Sequence, residues 1–153
     1  MNTVFSKIDE FVKKWNQNES LQPATLEEID KVERHLNIKL PKSYKYLMTR
    51  YGNLYTPDIL ETIVDNNLEI NDLQDFDLPA QALERTESWQ KAGLPVGYYA
   101  FASDSMGNMF CYKNSDCSDE SFEPHIWFFD HDFIEIEQES ENLLSWIKKF
   151  NEI

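Results

Sequence analysis

The chain has 153 residues, a mass of 18.1 kDa and a formal net charge of −14, with 28 acidic against 14 basic residues. Its 41% hydrophobic and 14% aromatic content excludes a disordered or fibrous chain and predicts one domain over residues 1–153. No apolar run approaches the roughly 20 residues of a membrane span, and Met1–Trp15 lacks the apolar core of a signal peptide. We therefore expect a single-domain cytoplasmic protein without membrane contact.

The acidic residues are concentrated in the later part of the chain. Residues 1–50 contain nine basic and seven acidic residues, whereas residues 51–153 contain five basic and 21 acidic ones. Lys and Arg are absent from Tyr51–Glu84 and from Asn114–Trp146. Such a surface repels phosphate backbones, which argues against direct nucleic-acid binding, and it attracts basic proteins. The alternative is that the charge serves only solubility.

The first third of the chain predicts three helices. Apolar residues recur at helical spacing in the first of them: Phe5, Ile8, Phe11, Val12 and Trp15. A second helix is predicted to begin after Thr25, with Glu28 placed as in a capping box, and to end at Asn37. A third is predicted from Pro41, a residue suited to a first helical turn, to Gly52, a residue suited to a left-handed C-terminal position.

After Gly52 the pattern changes. Leu54–Val64 and Leu68–Ile70 predict short strands or a long ordered loop, and Ala80–Lys91 predicts a weaker helix ended by Gly93. The rest predicts two hairpins around an acidic loop at Cys117–Pro124, and then a last helix. The corresponding segments are Tyr98–Ala102 with Met109–Tyr112, His125–Phe129 with Phe133–Ile136, and Glu139–Phe150. The sequence therefore predicts an α+β fold with N-terminal helices, a mainly antiparallel sheet of about four to six strands and a closing C-terminal helix.

Patterns for catalysis or metal binding are weak. The best metal or acid–base candidate is a set of four residues, although a structural turn is the favoured interpretation: His125, Asp130, His131 and Asp132. Ser103 and Ser105 lack the glycines of a nucleophile elbow, and the four glycines of the chain are scattered singly. Asp104–Asn108 lacks the distal acid of a calcium loop. We expect no enzymatic activity, no metal and no cofactor.

Two further features leave alternatives open. Cys111 and Cys117 are too far apart for a redox or zinc motif, and reduced thiols are expected, although a disulfide is geometrically possible. Within Trp127-Phe128-Phe129, strand alternation predicts that Phe128 points away from its two neighbours. Phe128 is then either covered by a helix, which is the default, or exposed at a binding face.

The order of several short motifs resembles the SUKH superfamily, and within it proteins similar to the yeast cell-wall assembly regulator. The resemblance covers about residues 24–150 and is carried mainly by the order of its motifs. The matching pieces are Leu26-Glu27-Glu28-Ile29 through Glu33 and Leu36, Leu40-Pro41, Tyr44, Leu47, Tyr51-Gly52, Phe101 to Asn108 with Phe110, and Ile126 to His131. Nothing in Leu54–Leu83 matches.

The resemblance implies an α+β fold and a non-enzymatic role as an immunity protein, or antitoxin. Such proteins bind and neutralise a cognate polymorphic toxin, often a nuclease, and size and charge are similar to those of antitoxins paired with LXG-type toxins. A nuclease domain needs a basic groove for its RNA or DNA substrate, and an acidic surface is complementary to that groove. The hypothesis is therefore that this protein blocks a basic toxin domain.

Acid density and predicted loops select the candidate partner-binding residues. The main acidic set is Asp116, Asp119, Glu120, Glu123, Asp130 and Asp132, and the second is Asp72, Asp75 and Asp77. Trp89 and Phe128 are candidate aromatic anchors. Two alternatives are a regulatory scaffold that binds another protein and a small metal-dependent hydrolase that uses the four His and Asp residues above. The oligomeric state is not predicted.

Overall fold

The computed structural model describes residues 3–153, which form six α-helices and one five-stranded sheet. The helices are α1 (Thr3–Trp15), α2 (Leu26–Leu36), α3 (Lys42–Arg50), α4 (Asp58–Asp65), α5 (Pro79–Gln90) and α6 (Leu143–Asn151). The strands are β1 (Asp75–Phe76), β2 (Tyr98–Ser103), β3 (Met109–Lys113), β4 (Ile126–Asp130) and β5 (Glu135–Ser140). The predicted α+β class, with a closing C-terminal helix, is confirmed.

The sheet is an antiparallel meander in which each strand pairs with the next one in the chain, in the order β1-β2-β3-β4-β5. Short connections join β2 to β3 and β4 to β5, and residues 114–125 join β3 to β4. Because consecutive strands are antiparallel, both hairpin turns lie at one end of the sheet and residues 114–125 lie at the other.

The ends of α2 follow the predicted capping pattern, with one difference. The Thr25 hydroxyl accepts the Glu28 N–H at 3.1 Å, and Asn37 ends the helix with a left-handed φ of 56°. The Glu28 carboxylate does not return to Thr25 as a capping box requires; it accepts the N–H of Ala80 at 3.0 Å. This contact joins α2 to the first turn of α5. The glutamate at the capping-box position therefore makes a long-range contact instead of a local one.

Gly52 occupies a position that other residues cannot take without strain. Its φ is +94°, and a Cβ atom built there would lie 2.2 Å from the carbonyl oxygen of Gln22. The Gly52 N–H donates to the Leu47 carbonyl at 3.1 Å, which closes the end of α3. The predicted C-terminal glycine is therefore confirmed, and it also admits a second segment of backbone at close range.

The prediction of strands or loop for Leu54–Val64 is wrong over α4. Ile59 and Ile63 lie one helical turn apart and are both buried, which gives this short helix its core-facing side. Two boundaries also differ from prediction: β5 begins at Glu135, and α6 begins at Leu143 after the side chain of Asn142 caps it at 2.9 Å. Phe133 consequently lies in a turn rather than in a strand.

The larger hydrophobic core lies between the helices and one face of the sheet. On this face Tyr99, Phe101, Phe110 and Tyr112 belong to a cluster with residues from all six helices, including Trp146 of α6. On the other face a smaller cluster contains Met109, Cys111 and Phe129, with Trp89 of α5 packed against it. No helix among the described residues is long and apolar enough to cross a membrane.

Candidate partner-binding surface

The predicted acidic residues lie at two opposite ends of the sheet. The tip end comprises the turns at residues 104–108 and 130–134 together with Glu135, the first residue of β5, and the loop end comprises residues 114–125. β4 connects the two ends over Ile126–Asp130, a span of about 13 Å at the usual rise of a strand. The main predicted set is therefore divided, because Asp130 and Asp132 belong to the tip end and its other four members belong to the loop end.

At the loop end, Glu120 is paired with a lysine of α3. The Lys45 ammonium lies 2.9 Å from Glu120 and 3.2 Å from the buried carboxylate of Glu33. The hydrogen bond and charge of Lys45 lower the pKa of Glu120 below its ordinary value. Glu120 also accepts the N–H of Lys42 through its backbone carbonyl at 2.9 Å. These contacts attach the loop to α3, so the negative charge of Glu120 is already balanced.

The other acidic residues of the loop end also have local contacts. The Glu123 carboxylate accepts the hydroxyl of Ser43 at 2.5 Å, and burial raises the pKa of Glu123 although that hydrogen bond opposes the shift. Asp119 is exposed and accepts the N–H of Ser121 at 2.9 Å. Asp116 is half-buried and ends a short 3-10 helix, Asn114–Asp116. Glu120 and Glu123 thus attach the loop end to α3.

At the tip end, Asp104 organises the turn between β2 and β3. Its buried carboxylate accepts the N–H groups of Met106 and Asn108, both at 2.9 Å, and the side-chain amide of Asn108 at 3.0 Å. Gly107 lies between these donors with a φ of +87°, the left-handed region in which glycine is favoured. The Asp-x-x-Gly-Asn motif is therefore a structural turn.

The two turns of the tip end are joined to each other. Asn108 Oδ1 accepts the backbone N–H of His131 at 3.1 Å and lies 2.9 Å from its Nδ1. Asp130 Oδ1 accepts the N–H of Asp132 at 2.9 Å and that of Phe133 at 3.3 Å. The ring of Trp89 packs against His131 with centroids 5.3 Å apart. The second turn is therefore held by Asn108 of the first turn, by the carboxylate of Asp130 and by the ring of Trp89 from α5.

The second predicted set, Asp72, Asp75 and Asp77, lies in and beside β1. Asp72 is buried and accepts the N–H of Ser105 at 3.0 Å, and burial raises its pKa against that hydrogen bond. Asp75 is half-buried and pairs with Ser103 of β2 at the tip end. Asp77 is buried, and this burial raises its pKa although Arg85 lies 2.9 Å away. Two of these three carboxylates are thus withdrawn from the surface.

Several side chains at the tip end do face solvent. The Asp132 side chain is 70% exposed, Glu135 is exposed, and the apolar side chains of Met106, Phe133 and Ile134 are 71%, 73% and 52% exposed. The three apolar residues were not among the predicted site residues. Alternation predicts a strand through Phe133, whereas the Asp130-x-Asp132 turn signal, extended by one residue, places Phe133 in the turn.

Phe128 does not belong to an exposed surface. It is buried in the larger core, where its ring lies 5.3 Å from that of Phe110. Trp127 and Phe129 point to the other face of the sheet, so the predicted alternation is confirmed together with the default expectation of helix cover. Phe128 cannot contact a partner without opening the core, and we exclude it from the candidate surface.

The four residues of the metal-dependent alternative do not assemble. His125 lies at the loop end with its Nδ1 2.8 Å from the Glu141 carbonyl, whereas Asp130, His131 and Asp132 lie beyond β4 at the tip end. Residues 3–153 contain no group of three or more His, Cys, Asp or Glu side chains placed to hold a metal ion. The two cysteines are both buried and free; burial raises the pKa of each thiol, that of Cys117 to about 12.

Comparison with known families identifies the domain. Residues 23–149 match the model of the SMI1 / KNR4 family (SUKH-1), and the chain belongs to this family. The match includes both turns of the tip end and the whole loop end, and α1 precedes it. The family is associated with immunity proteins against polymorphic toxins. A search of curated proteins finds no match to this chain.

Proposed function

We propose that this member of the SMI1 / KNR4 family is an antitoxin that binds and neutralises a cognate toxin, a nuclease domain of an LXG-type toxin. The observation that carries the proposal is the difference between the two ends of the sheet in how far their acidic side chains are paired. At the loop end Lys45 pairs with Glu120, and the charge of Lys42 also acts on Glu120. At the tip end Asp132 and Glu135 are exposed, and neither turn contains Lys or Arg. A nuclease needs a basic groove for its phosphate backbone, and an acidic protein surface complements it.

Inhibition in this scheme requires binding and no chemistry. Rim acids accelerate the encounter with a basic partner, and a few desolvated side chains determine how long the complex lasts. The complex should therefore form more slowly as salt is added, because exposed charges are screened over about 8 Å at physiological ionic strength.

Co-expression tests the proposal directly. The chain is expressed with the C-terminal domain encoded by the toxin-like gene nearest its own, and growth and co-purification are scored. Rescue of growth together with a complex whose association rate falls with salt is the expected result. An unrelated acidic protein of similar size and charge serves as the control for nonspecific electrostatic binding. Failure of the chain to rescue growth and to co-purify would contradict the antitoxin function and favour the scaffold alternative.

A further inference from the structure

Three exposed apolar side chains, Met106, Phe133 and Ile134, lie on the two joined turns of the tip end and are called the apolar patch below. Met106 and Phe133 each lie two residues from the hydrogen-bonded pair Asn108 and His131, which holds their turns together. Ile134 follows Phe133, and all three apolar side chains are more than half exposed. Exposed aromatic and aliphatic groups held on rigid turns are typical of interface anchors.

The charges around this patch indicate which partner it fits. Asp132 and Glu135 flank Phe133 and Ile134 in the chain, and both acids are exposed. The hairpin of β4 and β5, which carries Phe133 and Ile134, contains no Lys or Arg. Two copies meeting through this patch would bring like charges together, which disfavours self-association. A basic protein surface would instead gain both apolar burial and opposite charge.

The loop end provides the contrasting case. It also has an exposed aromatic residue, Phe122, which is 54% exposed beside Asp119. Lys45 and Lys42 of α3 contact this loop, and Lys39 donates its N–H to the Cys117 carbonyl at 2.7 Å. A basic partner would therefore meet positive charge at the loop end as well as negative charge, so the loop end is the poorer match.

We infer that the tip end is the docking surface for the basic toxin domain, with Phe133 as the anchor, Met106 and Ile134 beside it, and Asp132 and Glu135 as its charged rim. This inference rests on the proposed function and adds to it the part of the molecule that binds. The toxin domain should present an apolar pocket bordered by Lys or Arg.

Two matched triple variants test the inference. The tip variant is Asp132→Asn/Phe133→Ala/Glu135→Gln, and the loop variant is Asp116→Asn/Asp119→Asn/Phe122→Ala. Each removes two acidic charges and one exposed phenyl ring and leaves the structural acids Asp104, Asp130 and Glu123 in place. Thermal unfolding of both variants establishes that each is folded, which is expected because the replaced ring is exposed in both cases.

The probe is the purified C-terminal domain encoded by the toxin-like gene nearest to that of the chain, made harmless by an active-site substitution, and affinity is measured by titration calorimetry. We expect the tip variant to weaken binding by about 100-fold or more and Phe133→Ala alone by about 30-fold, whereas the loop variant stays within about threefold. If the affinity of the tip variant stays within about threefold of that of the unmodified chain, the inference is overturned and the antitoxin function is left intact. Absence of binding by the unmodified chain would overturn both.

Sedimentation of the chain alone tests whether a second copy of the chain, rather than a toxin domain, covers this surface. A monomer is expected for both the unmodified chain and the tip variant. A dimer that the tip variant converts to a monomer would show that a second copy covers the patch, and it would overturn the assignment to a toxin.

Discussion

The two ends of the sheet have similar numbers of acidic residues but use them differently. At the loop end, carboxylates bind lysine or serine side chains of neighbouring helices, as Glu120 does with Lys45 and Glu123 with Ser43. At the tip end, Asp104 and Asp130 accept backbone N–H groups of their own turns, which leaves Asp132 and Glu135 directed to solvent. Acid density in a sequence therefore does not locate a binding surface. Only the charge that remains after local contacts are satisfied is available to a partner.

The largest expected effect concerns the carboxylate that shapes the first turn of the tip end. Asp104→Ala should lower the free energy of unfolding by about 3 kcal/mol, because it removes the acceptor of three hydrogen bonds from a buried site. Urea unfolding measures this effect. Asp119→Ala is the control, since this exposed residue accepts one N–H, and its effect should stay below about 1 kcal/mol. Equal effects would show that the tip end is no more rigidly built than the loop end.

The next effect tests whether ion pairs hold the loop end in place. Lys45→Met should lower the free energy of unfolding by about 2 kcal/mol, because it leaves the buried Glu33 carboxylate without its cation and frees Glu120 from α3. The exposed Lys39→Met is the matched control and should change stability by less than about 0.5 kcal/mol. Exchange of the Lys42 amide, which donates to Glu120, should accelerate only in Lys45→Met. An unchanged exchange rate there would mean that the loop docks without the ion pairs.

A smaller effect appears in the pH dependence of stability. Burial raises the pKa of Glu123 in the folded state above its unfolded value. At pH values between these two pKa values the folded state therefore binds more protons than the unfolded state. Its contribution to stability is therefore most favourable below the unfolded pKa and declines as pH rises through the folded pKa. Glu123→Gln removes this titration while its amide oxygen can still accept the Ser43 hydroxyl.

Urea unfolding from pH 4 to pH 8 measures the difference between the two proteins. The free energy of unfolding of the unmodified chain should decline relative to that of Glu123→Gln as pH rises. Asp119→Asn, which changes an exposed carboxylate of the same loop, controls for the general relief of acidic repulsion. A Glu123→Gln profile parallel to that of the unmodified chain would show that burial does not raise the pKa of Glu123.

Much of the fold followed from local signals. The caps at Thr25, Asn37 and Gly52 and the two hairpins could be predicted, because hydrogen bonds and φ angles within a few residues determine them. α4 could not be predicted in this way. Its segment is rich in β-branched residues that favour strands, and burial of Ile59 and Ile63 against the rest of the chain stabilises the helix instead.

The candidate surface was less predictable than the fold. The sequence showed where acids are dense, but not that Asp72 and Asp77 are buried or that Lys45 reaches Glu120 from 75 residues away. These facts depend on tertiary contacts between distant segments. Phe133 was missed because the strand pattern continued through it, while the Asp130 carboxylate in fact extends the turn to include it.

The smallest effect on stability concerns Ile134, and it separates folding from binding at the tip end. Ile134 has a φ of +54°, a left-handed conformation that is unfavourable for a β-branched residue by about 1–2 kcal/mol. Its side chain packs over Gly93 and is about half buried, and this packing stabilises the folded state by about 1 kcal/mol. Because the two terms oppose each other, Ile134→Gly should change the free energy of unfolding by no more than about 1 kcal/mol. Ile134→Ala keeps the strained backbone and loses the packing, so it should be less stable than the glycine variant by about 1 kcal/mol.

Binding should respond differently from stability. Both variants remove the same exposed apolar group, so each should weaken binding of the toxin domain by about 10-fold, measured by calorimetry as above. Equal stabilities of the two variants would mean that the left-handed backbone carries no strain. Unchanged affinity in both would place Ile134 outside the interface. Replacement of Ile134 should therefore leave the fold intact and weaken the complex. This combination is expected where a strained turn positions a side chain for a partner rather than for the core.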